Sequence, residues 1–307
     1  MSKRKRGFFV ANGGDHCETP TTAYTDVAPF VTELARQILP PCTPSKDKAE
    51  ITPDQQLRAR ISLYDPYYCA GGALRRLAAI GFTRVYNRKE DFYAVLKKGK
   101  VPEHDLILSN PPFSADHPQR ILHFACSSQR AHACGDRKAR RDTVTGKEAG
   151  AVAVSGAASR CLQRPWLLLL PNHTMHQPWF KALMEQTGER PLFLCPASKY
   201  KFHAFYDIGN AKGSGADSAR SAGEEVAPCH TLWYIGGLGD ELRAHMVEWW
   251  RGRQRQKLPS GSHTTCTLAQ SVEQLPRSLR KLDRYTKRKV ERKQRLAKRK
   301  KQRQQQQ

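Results

Sequence analysis

Short apolar runs alternate with helical segments along most of this sequence, and that alternation is the strongest constraint on its fold. Four runs are typical of buried strands, at 61–64, 84–86, 105–109 and 166–170. The first is followed by a segment that opens at Gly71-Gly72 and ends at Gly81, as a short helix does. Because parallel strands need crossover connections, the pattern predicts an α/β fold: a mostly parallel central sheet with helices on both faces.

The remaining elements follow from the same reasoning. Apolar residues at helical spacing and strand-like runs predict helices over 22–39, 73–80, 118–126 and 177–187, and late strands over 191–195 and 231–235. The segment 42–56 is polar and contains proline, so we expect a loop there.

Composition shifts divide the chain into three parts. We expect a flexible basic N-terminus at 1–16, a folded domain at 17–251, and a linker with a basic tail at 252–307. Within the domain, 127–163 and 209–228 are poor in apolar residues and are interpreted as insertions. The chain shows no apolar run long enough to cross a bilayer and no signal-peptide pattern, so we expect an intracellular protein that makes no membrane contact.

The charge of the chain is concentrated near its end. The net charge is +24, and residues 277–303 hold 15 Lys and Arg against two acids. Such a segment attracts phosphate and releases counterions on binding, which predicts a nucleic-acid partner. A localisation signal is the alternative interpretation, and the basic termini suggest a nuclear or nucleolar protein.

Cysteine spacing argues against both a disulfide framework and a metal site. The nine cysteines are scattered, with no CxxC pair, so reduced thiols are expected. His123, Cys126, His132 and Cys134 have ligand types that suit zinc but not a standard spacing, and no metal is predicted.

The most informative motif is Asn110-Pro111-Pro112-Phe113, directly after the predicted strand 105–109. Here the chain resembles the amino-methyltransferase branch of the class I S-adenosylmethionine (SAM)-dependent methyltransferases, which carry Asp/Asn-Pro-Pro-Tyr/Phe after their fourth strand. The Phe version is similar to that of RNA adenine-N6 enzymes. The resemblance covers roughly 17–126 and 164–236 and implies a Rossmann-like fold with SAM as cofactor.

The chemistry of an amino target explains these residue types. The lone pair of an exocyclic NH2 is delocalised into the ring, so acceptors that face the group are needed to draw it toward a pyramidal geometry. The Asn110 side-chain oxygen and the Pro111 carbonyl are the expected acceptors, and the prolines hold them in place. Phe113 offers an aromatic face to a base removed from its stack.

A cofactor loop is expected upstream, in the stretch 64–73. It resembles the family motif Asp-Pro-Phe-x-Gly-x-Gly, which implies that Asp65, Tyr67, Ala70 and Gly71 line the cofactor site. The first glycine position falls on Cys69, unless one residue is inserted and Ala70-Gly71 replaces it.

Three further segments complete the expected cofactor contacts. By resemblance, the residue that ends the second strand contacts the ribose hydroxyls; Asn87 stands there and Glu90 is its rival. Asp91-Phe92 resembles the pair that meets the SAM adenine. Thr19-Pro20 is similar to a segment that lies over the cofactor.

The function predicted from these motifs is methyl transfer to adenine N6 in RNA, with adenine in DNA as the near neighbour. A protein glutamine N5-methyltransferase and an inactive methyltransferase fold that binds nucleic acid remain alternatives. Basic and aromatic side chains are interleaved from Lys199 to Phe205, as in a nucleic-acid surface or in strands whose aromatic side chains pack inward. Asn172-His173 is a candidate for the rim of the target pocket.

Overall fold

The computed structural model describes residues 17–41, 51–135, 164–204, 225–226, 229–255 and 266–280, and residue 295. In chain order its strands are β1 (Cys17–Glu18), β2 (Ser62–Tyr64), β3 (Arg84–Tyr86), β4 (Leu106–Ser109), β5 (Trp166–Pro171), β6 (Leu192–Cys195), β7 (Phe202–Ala204), β8 (Glu225–Val226), β9 (Thr231–Gly236) and β10 (Thr267–Ala269). β1, β7 and β8 form a small antiparallel sheet, and the other seven strands form the main sheet.

The described α-helices fall between these strands. They are α1 (Thr21–Ile38), α2 (Pro53–Arg60), α3 (Gly72–Ala79), α4 (Phe92–Lys97), α5 (His117–Gly135), α6 (Pro178–Thr187), α7 (Asp240–Arg255) and α8 (Arg277–Arg280). A 3₁₀ segment, Asn172–His176, follows β5. Within the described ranges, no helix combines the length and the apolar content that crossing a membrane requires.

The main sheet is mixed, with a parallel core. Its strand order is β10-β6-β9-β5-β4-β2-β3, and the pairs β2–β3, β2–β4 and β4–β5 are parallel. β9 runs antiparallel to both β5 and β6, and β10 runs antiparallel to β6. Five strands therefore point one way, and β9 and β10 point the other. The predicted α/β fold with a mostly parallel sheet is confirmed.

Both faces of the sheet are covered because successive strand residues point to opposite sides. Leu63 and Leu108 belong to a core cluster completed by residues of α1, α3 and α7. Tyr64 and Ile107, their neighbours in sequence, belong to a second cluster with residues of α4, α5 and α6. The central strands β5 and β9 are buried along their whole length, as expected of strands that pack helices on two sides.

Predicted strands and helices agree with the structure to within one or two residues, except where a helix is longer or was missed. α5 continues to Gly135, so the first part of the predicted 127–163 insertion is helical. The loop expected over 42–56 is wrong from Pro53 onward, where a capping box between Thr52 and Gln55 starts α2. Residues 1–16 and the rest of the two insertions, apart from β8, lie outside the described residues.

The segment expected to be a linker, 252–276, belongs partly to the folded domain. α7 extends to Arg255, and β10 pairs with β6 at the edge of the sheet. Leu275 and Leu279 are 2 % and 4 % exposed and pack in the same cluster as α5 and α6. A strand of three residues is too short to produce a recognisable sequence pattern, so β10 is identified only by its pairing with β6. Of the predicted basic helix 277–300, the structure describes α8 and residue 295.

We predict that truncation distinguishes this packed segment from the tail. A chain ending after Thr265 loses β10, Leu275 and Leu279, and is expected to unfold more than ~5 °C below the full chain, since buried leucines each contribute a few kcal/mol. A chain ending after Arg280 keeps them and is expected to melt as the full chain does. Thermal denaturation followed by circular dichroism measures both. Equal melting temperatures for the two truncations would contradict the assignment.

Candidate active site

The crossover pattern of the sheet places a topological switch point at the carboxyl ends of β2 and β4. From β2 the chain passes through α3 to β3 on one side, whereas from β4 it passes through α5 to β5 on the other. Where neighbouring parallel strands send their connections in opposite directions, the loops diverge, and α/β sheets bind ligands there. The two loops at this switch point are 65–71 and 110–116, which contain the predicted cofactor loop and the Asn-Pro-Pro-Phe motif.

Asp65 joins the two loops. Its carboxylate oxygen Oδ1 accepts hydrogen bonds from Ser109 Oγ at 2.6 Å and from the Tyr67 backbone N–H at 3.2 Å. Ser109 ends β4, next to Asn110, so the first residues of both loops are held together. Burial raises the pKa of Asp65 to about 7, and the two hydrogen bonds oppose that rise only in part.

Ser109 is a site residue that the motif search missed. It is 1 % exposed and is the only polar residue of β4, whose other residues are Leu106, Ile107 and Leu108. A small hydroxyl at the end of an apolar strand, directly before a polar turn, is the sequence signal that could have identified it.

Asn87 follows β3, and its side chain hydrogen-bonds the backbone of the loop 65–71. Its side-chain N–H group donates to the carbonyl oxygens of Asp65 at 3.1 Å and Tyr67 at 3.2 Å. Its Oδ1 atom is buried and has no hydrogen-bond partner among the described residues. Glu90, the rival candidate, is exposed and accepts a hydrogen bond from Tyr86 Oη at 3.1 Å. Asn87 therefore lies within the loop cluster, and Glu90 lies outside it.

The loop 65–71 has the backbone conformation expected of a glycine-rich turn. Cys69 has φ 48°, in the left-handed region that glycine adopts without strain, and Gly71 has φ 80°. Ala70 lies in the turn between them. Cys69 thus has the conformation that a glycine would supply at the altered motif position. Burial raises the pKa of its thiol to about 12, so it stays a neutral thiol at physiological pH.

Glu18, which directly precedes Thr19-Pro20 and was not itself predicted as a site residue, holds this segment against the loop 65–71. Its Oε1 accepts from the Gly72 backbone N–H at 2.9 Å, and its Oε2 forms an ion pair with Arg76 at 2.7 Å. A Cβ at position 72 would lie 2.2 Å from Arg76 Nη1 and 2.4 Å from the Glu18 carboxylate oxygens, so the ends of both side chains would have to move from this arrangement. The position of Glu18 next to Thr19-Pro20 is the one feature of the sequence that indicates this role.

Thr19 and Pro20 lie between β1 and α1, beside the loop that Glu18 contacts. Thr19 is buried, and its hydroxyl hydrogen-bonds the Tyr24 side chain. Pro20 is the N-cap residue of α1. The contact between Glu18 and Gly72 brings this segment and the loop 65–71 together.

The Asn-Pro-Pro-Phe corner extends from the end of β4. The Asn110 Oδ1 atom is buried and has no hydrogen-bond partner among the described residues. Pro111 is buried and Pro112 is half-buried, and the described part of the chain contains no cis peptide bond. The Phe113 ring packs edge-on against Phe202 of β7, with ring centroids 6.0 Å apart. The small sheet therefore supports the corner from one side.

Asp91 and Phe92 have structural partners at the start of α4. Asp91 is the N-cap, and its Oδ1 accepts from the backbone N–H groups of Tyr93 and Ala94 at 2.9 and 3.3 Å. Phe92 is 1 % exposed and packs against the ring of Tyr67, with centroids 5.5 Å apart. Both residues lie beside the cofactor loop, with their side chains committed to the cap and the core.

Other sequence candidates lie elsewhere. Tyr200 is buried, where its hydroxyl donates to Asp26 at 2.8 Å, and Phe202 is in the core. The described aromatics of this segment, Tyr200 and Phe202, therefore pack inward rather than forming a nucleic-acid surface, and Phe205 lies outside the described residues. Asn172 lies at the carboxyl end of β5 and donates to the Leu279 carbonyl at 3.0 Å.

The described residues contain no cluster of three or more His, Cys, Asp or Glu side chains arranged to hold a metal ion.

Comparison with known proteins gives little. No protein-family model matches this chain, and neither does any curated protein. A solved structure described as "Structural basis underlying complex assembly and conformational transition of the type I R-M system" aligns with it at 13 % identity and a TM-score of 0.32. The alignment covers 84 % of this chain and 55 % of that one, so the chain spans about half of its length. A likeness this distant carries no argument about function.

We predict that Asp65 gives the stability of the protein a defined pH dependence. Because the pKa of its carboxyl rises from 3.8 to about 7 on folding, the folded state binds the proton more tightly. The stabilisation is complete below pH 3.8 and is lost as the pH rises through about 7. Asp65→Asn keeps the size of the side chain and cannot ionise.

The test compares the two proteins by thermal denaturation between pH 4 and pH 8. Asp65→Asn is expected to gain stability relative to wild type as the pH rises to about 7, with no further gain above it. A difference between the two proteins that does not change with pH would contradict a buried Asp65 with a raised pKa.

Proposed function

We propose that this protein is a SAM-dependent methyltransferase of the class I fold that methylates a planar amino nitrogen, namely adenine N6 in nucleic acid. The observation that carries the proposal is the Asn110 Oδ1 atom, a buried acceptor with no donor among the described residues, at the switch point of the sheet. A buried acceptor without a partner costs stability, and its presence is explained if a ligand supplies the donor. An exocyclic NH2 group is such a donor.

The residues around the loop 65–71 suit SAM as the cofactor. SAM carries a net positive charge near its sulfur and amino groups, and two acidic side chains lie at this loop: Asp65, whose pKa is raised to about 7, and Glu18, which is paired with Arg76. The buried Asn87 Oδ1 has no protein donor, which suits a ribose hydroxyl. When bound, SAM supplies a methyl group already activated on a sulfonium, so the reaction needs no metal and no covalent enzyme intermediate.

In this proposal the chain itself supplies positioning. Asn110 Oδ1 and the Pro111 carbonyl accept the two hydrogens of the target NH2 and draw its lone pair out of conjugation. The Asp65–Ser109 hydrogen bond fixes the corner against the cofactor loop, so a methyl donor and an amino acceptor are held at constant separation. Asn110 is not ionisable, so it polarises the NH2 group without removing its proton as a base.

Adenine in nucleic acid is the substrate that the charge distribution favours. The 15 Lys and Arg between residues 277 and 303 suit a phosphate backbone, which a glutamine side chain in a protein does not offer. RNA is preferred to DNA because Phe113 follows the prolines, as in the RNA enzymes that the motif resembles. Cys69 at the first glycine position is the feature that favours an inactive fold. Its left-handed backbone, with φ 48°, supports a turn of the glycine type, and SAM binding distinguishes the two proposals.

We predict that Asn110→Ala abolishes methyl transfer and leaves SAM binding nearly intact, because Asn110 faces the target and not the cofactor. Asn87→Ala is the matched variant: it removes the other buried Oδ1 atom that has no donor among the described residues, together with two hydrogen bonds to the loop 65–71, and is expected to weaken SAM binding itself. Calorimetry with SAM measures binding, and tritium transfer from SAM to total RNA, DNA or protein measures activity. Thermal denaturation checks that both variants fold.

Three results would contradict the proposal. Wild-type protein that neither binds SAM nor labels any of the three fractions would exclude a methyltransferase. Label found only in protein would favour the glutamine alternative. If Asn110→Ala transferred methyl groups at the wild-type rate, the assignment of the motif would be wrong even for an active enzyme.

Removal of the tail after Arg280 is predicted to weaken nucleic-acid binding and to flatten its salt dependence. The removed segment carries 13 Lys and Arg and two acids, and each phosphate contact contributes about −0.9 to the slope of log K against log salt concentration for duplex DNA. Fluorescence anisotropy with a labelled oligonucleotide at several salt concentrations measures both effects. SAM affinity is expected to stay unchanged, and an unchanged salt slope would show that the tail makes no phosphate contacts.

A further inference from the structure

An aromatic cluster flanks the candidate site on the side opposite the small sheet. The rings of Tyr93, from α4, and His117, from the start of α5, are stacked, with centroids 5.7 Å apart and planes 27° apart. The guanidinium carbon of Arg120 lies over the Tyr93 ring, 4.6 Å from its centroid. The Arg120 side chain is 52 % exposed, so this group of planar side chains reaches the surface.

Hydrogen bonds hold the cluster in one arrangement. The Tyr93 hydroxyl hydrogen-bonds His117 Nδ1 and lies 3.3 Å from the hydroxyl of Tyr67, in the cofactor loop. Arg120 Nε donates to Asp116 at 2.8 Å, one turn earlier in the chain. Planar groups that are already fixed lose little entropy when a ligand stacks on them.

The position of the cluster relates it to the target corner. His117 follows Phe113 by four residues, so at most about 14 Å of chain separates them. Tyr67 ties the other end of the cluster to the loop that holds Asp65. A second contact of the same kind, Arg88 over Tyr86 at 4.9 Å, lies at the end of β3 on the same edge of the sheet.

Exposed arginine stacked on aromatic rings is a chemistry that suits unpaired bases. The guanidinium plane stacks on a base, and its N–H groups reach a neighbouring phosphate. Bases in a duplex are already stacked on each other and do not offer a free face. A protein chain offers neither a regular row of planar bases nor phosphates, so the cluster favours single-stranded nucleic acid.

We propose that Arg120, Tyr93 and His117 form a stacking platform for a base that flanks the target in single-stranded nucleic acid. The platform deepens the proposed function, on which it rests, by naming the form of substrate that the enzyme accepts. The platform lies elsewhere than the nucleic-acid surface predicted at Lys199 to Phe205, where the described aromatic side chains are buried.

The experiment measures the affinity of the full chain for labelled oligonucleotides, single-stranded RNA and DNA and the corresponding duplex, by fluorescence anisotropy. Arg120→Ala is expected to weaken single-strand binding roughly 5- to 150-fold, the usual range for one base–side-chain stack, with little effect on the duplex. The loss should persist at high salt, where the contribution of the basic tail declines. Arg120→Lys keeps the charge but not the plane, so it should recover only part of the affinity.

Arg251→Ala is the matched control. Arg251 is also an exposed helical arginine, 48 % accessible, in an ion pair with an acid one turn earlier, Glu248. It lies on α7, against the other face of the sheet, and its loss is expected to leave both affinities unchanged.

Each other outcome overturns the platform. Equal losses on single strand and duplex would mean a phosphate contact only, and no loss would mean no contact. Weaker SAM binding in Arg120→Ala would assign the cluster to the cofactor site. The proposed function fails by a different result, the absence of SAM binding and methyl transfer in wild-type protein, so the two failures are distinguishable.

Discussion

The hydrogen bond from Ser109 to the buried Asp65 carboxylate is the contact on which the candidate site depends. It joins the ends of two parallel strands whose loops leave in opposite directions. A buried carboxylate is costly, and the raised pKa of Asp65 reflects that cost. The fold keeps the carboxylate where a hydroxyl and a backbone N–H can satisfy it in part.

Around that bond the polar groups fall into two kinds. Some are satisfied within the chain and position the loops: the Asn87 side-chain amide on two backbone carbonyls, and Glu18 on Gly72 and Arg76. Others, the Oδ1 atoms of Asn87 and Asn110, are buried without a donor in the described residues. Groups of the first kind stabilise the site, and those of the second kind gain a hydrogen bond if a ligand supplies the donor. This division is typical of sites where stability is given up for function.

The two sides of the site differ in chemistry. On one side the small sheet packs Phe202 against Phe113 and is closed by apolar contacts. On the other side Tyr93 and Arg120 form a cluster that is polar at its edges and exposed at one end. An asymmetry of this kind suits a substrate that enters from one direction. It also explains why the alternation of basic and aromatic residues in the sequence did not locate the proposed binding surface. Alternation shows which residues are neighbours in the chain, whereas burial in the folded structure decides which side chains are exposed to water.

The sequence by itself determined the parallel core of the sheet, the order of its principal elements and the Asn-Pro-Pro-Phe turn, because apolar periodicity and proline act locally. Only the tertiary structure decided that Glu18 reaches Gly72, that Ser109 bonds Asp65 and that β10 completes the sheet. Those contacts join residues far apart in the chain, and a short strand or a single polar side chain carries no local signal of its partner. The partner is set by strand order, which depends on how both faces of the sheet are buried at once.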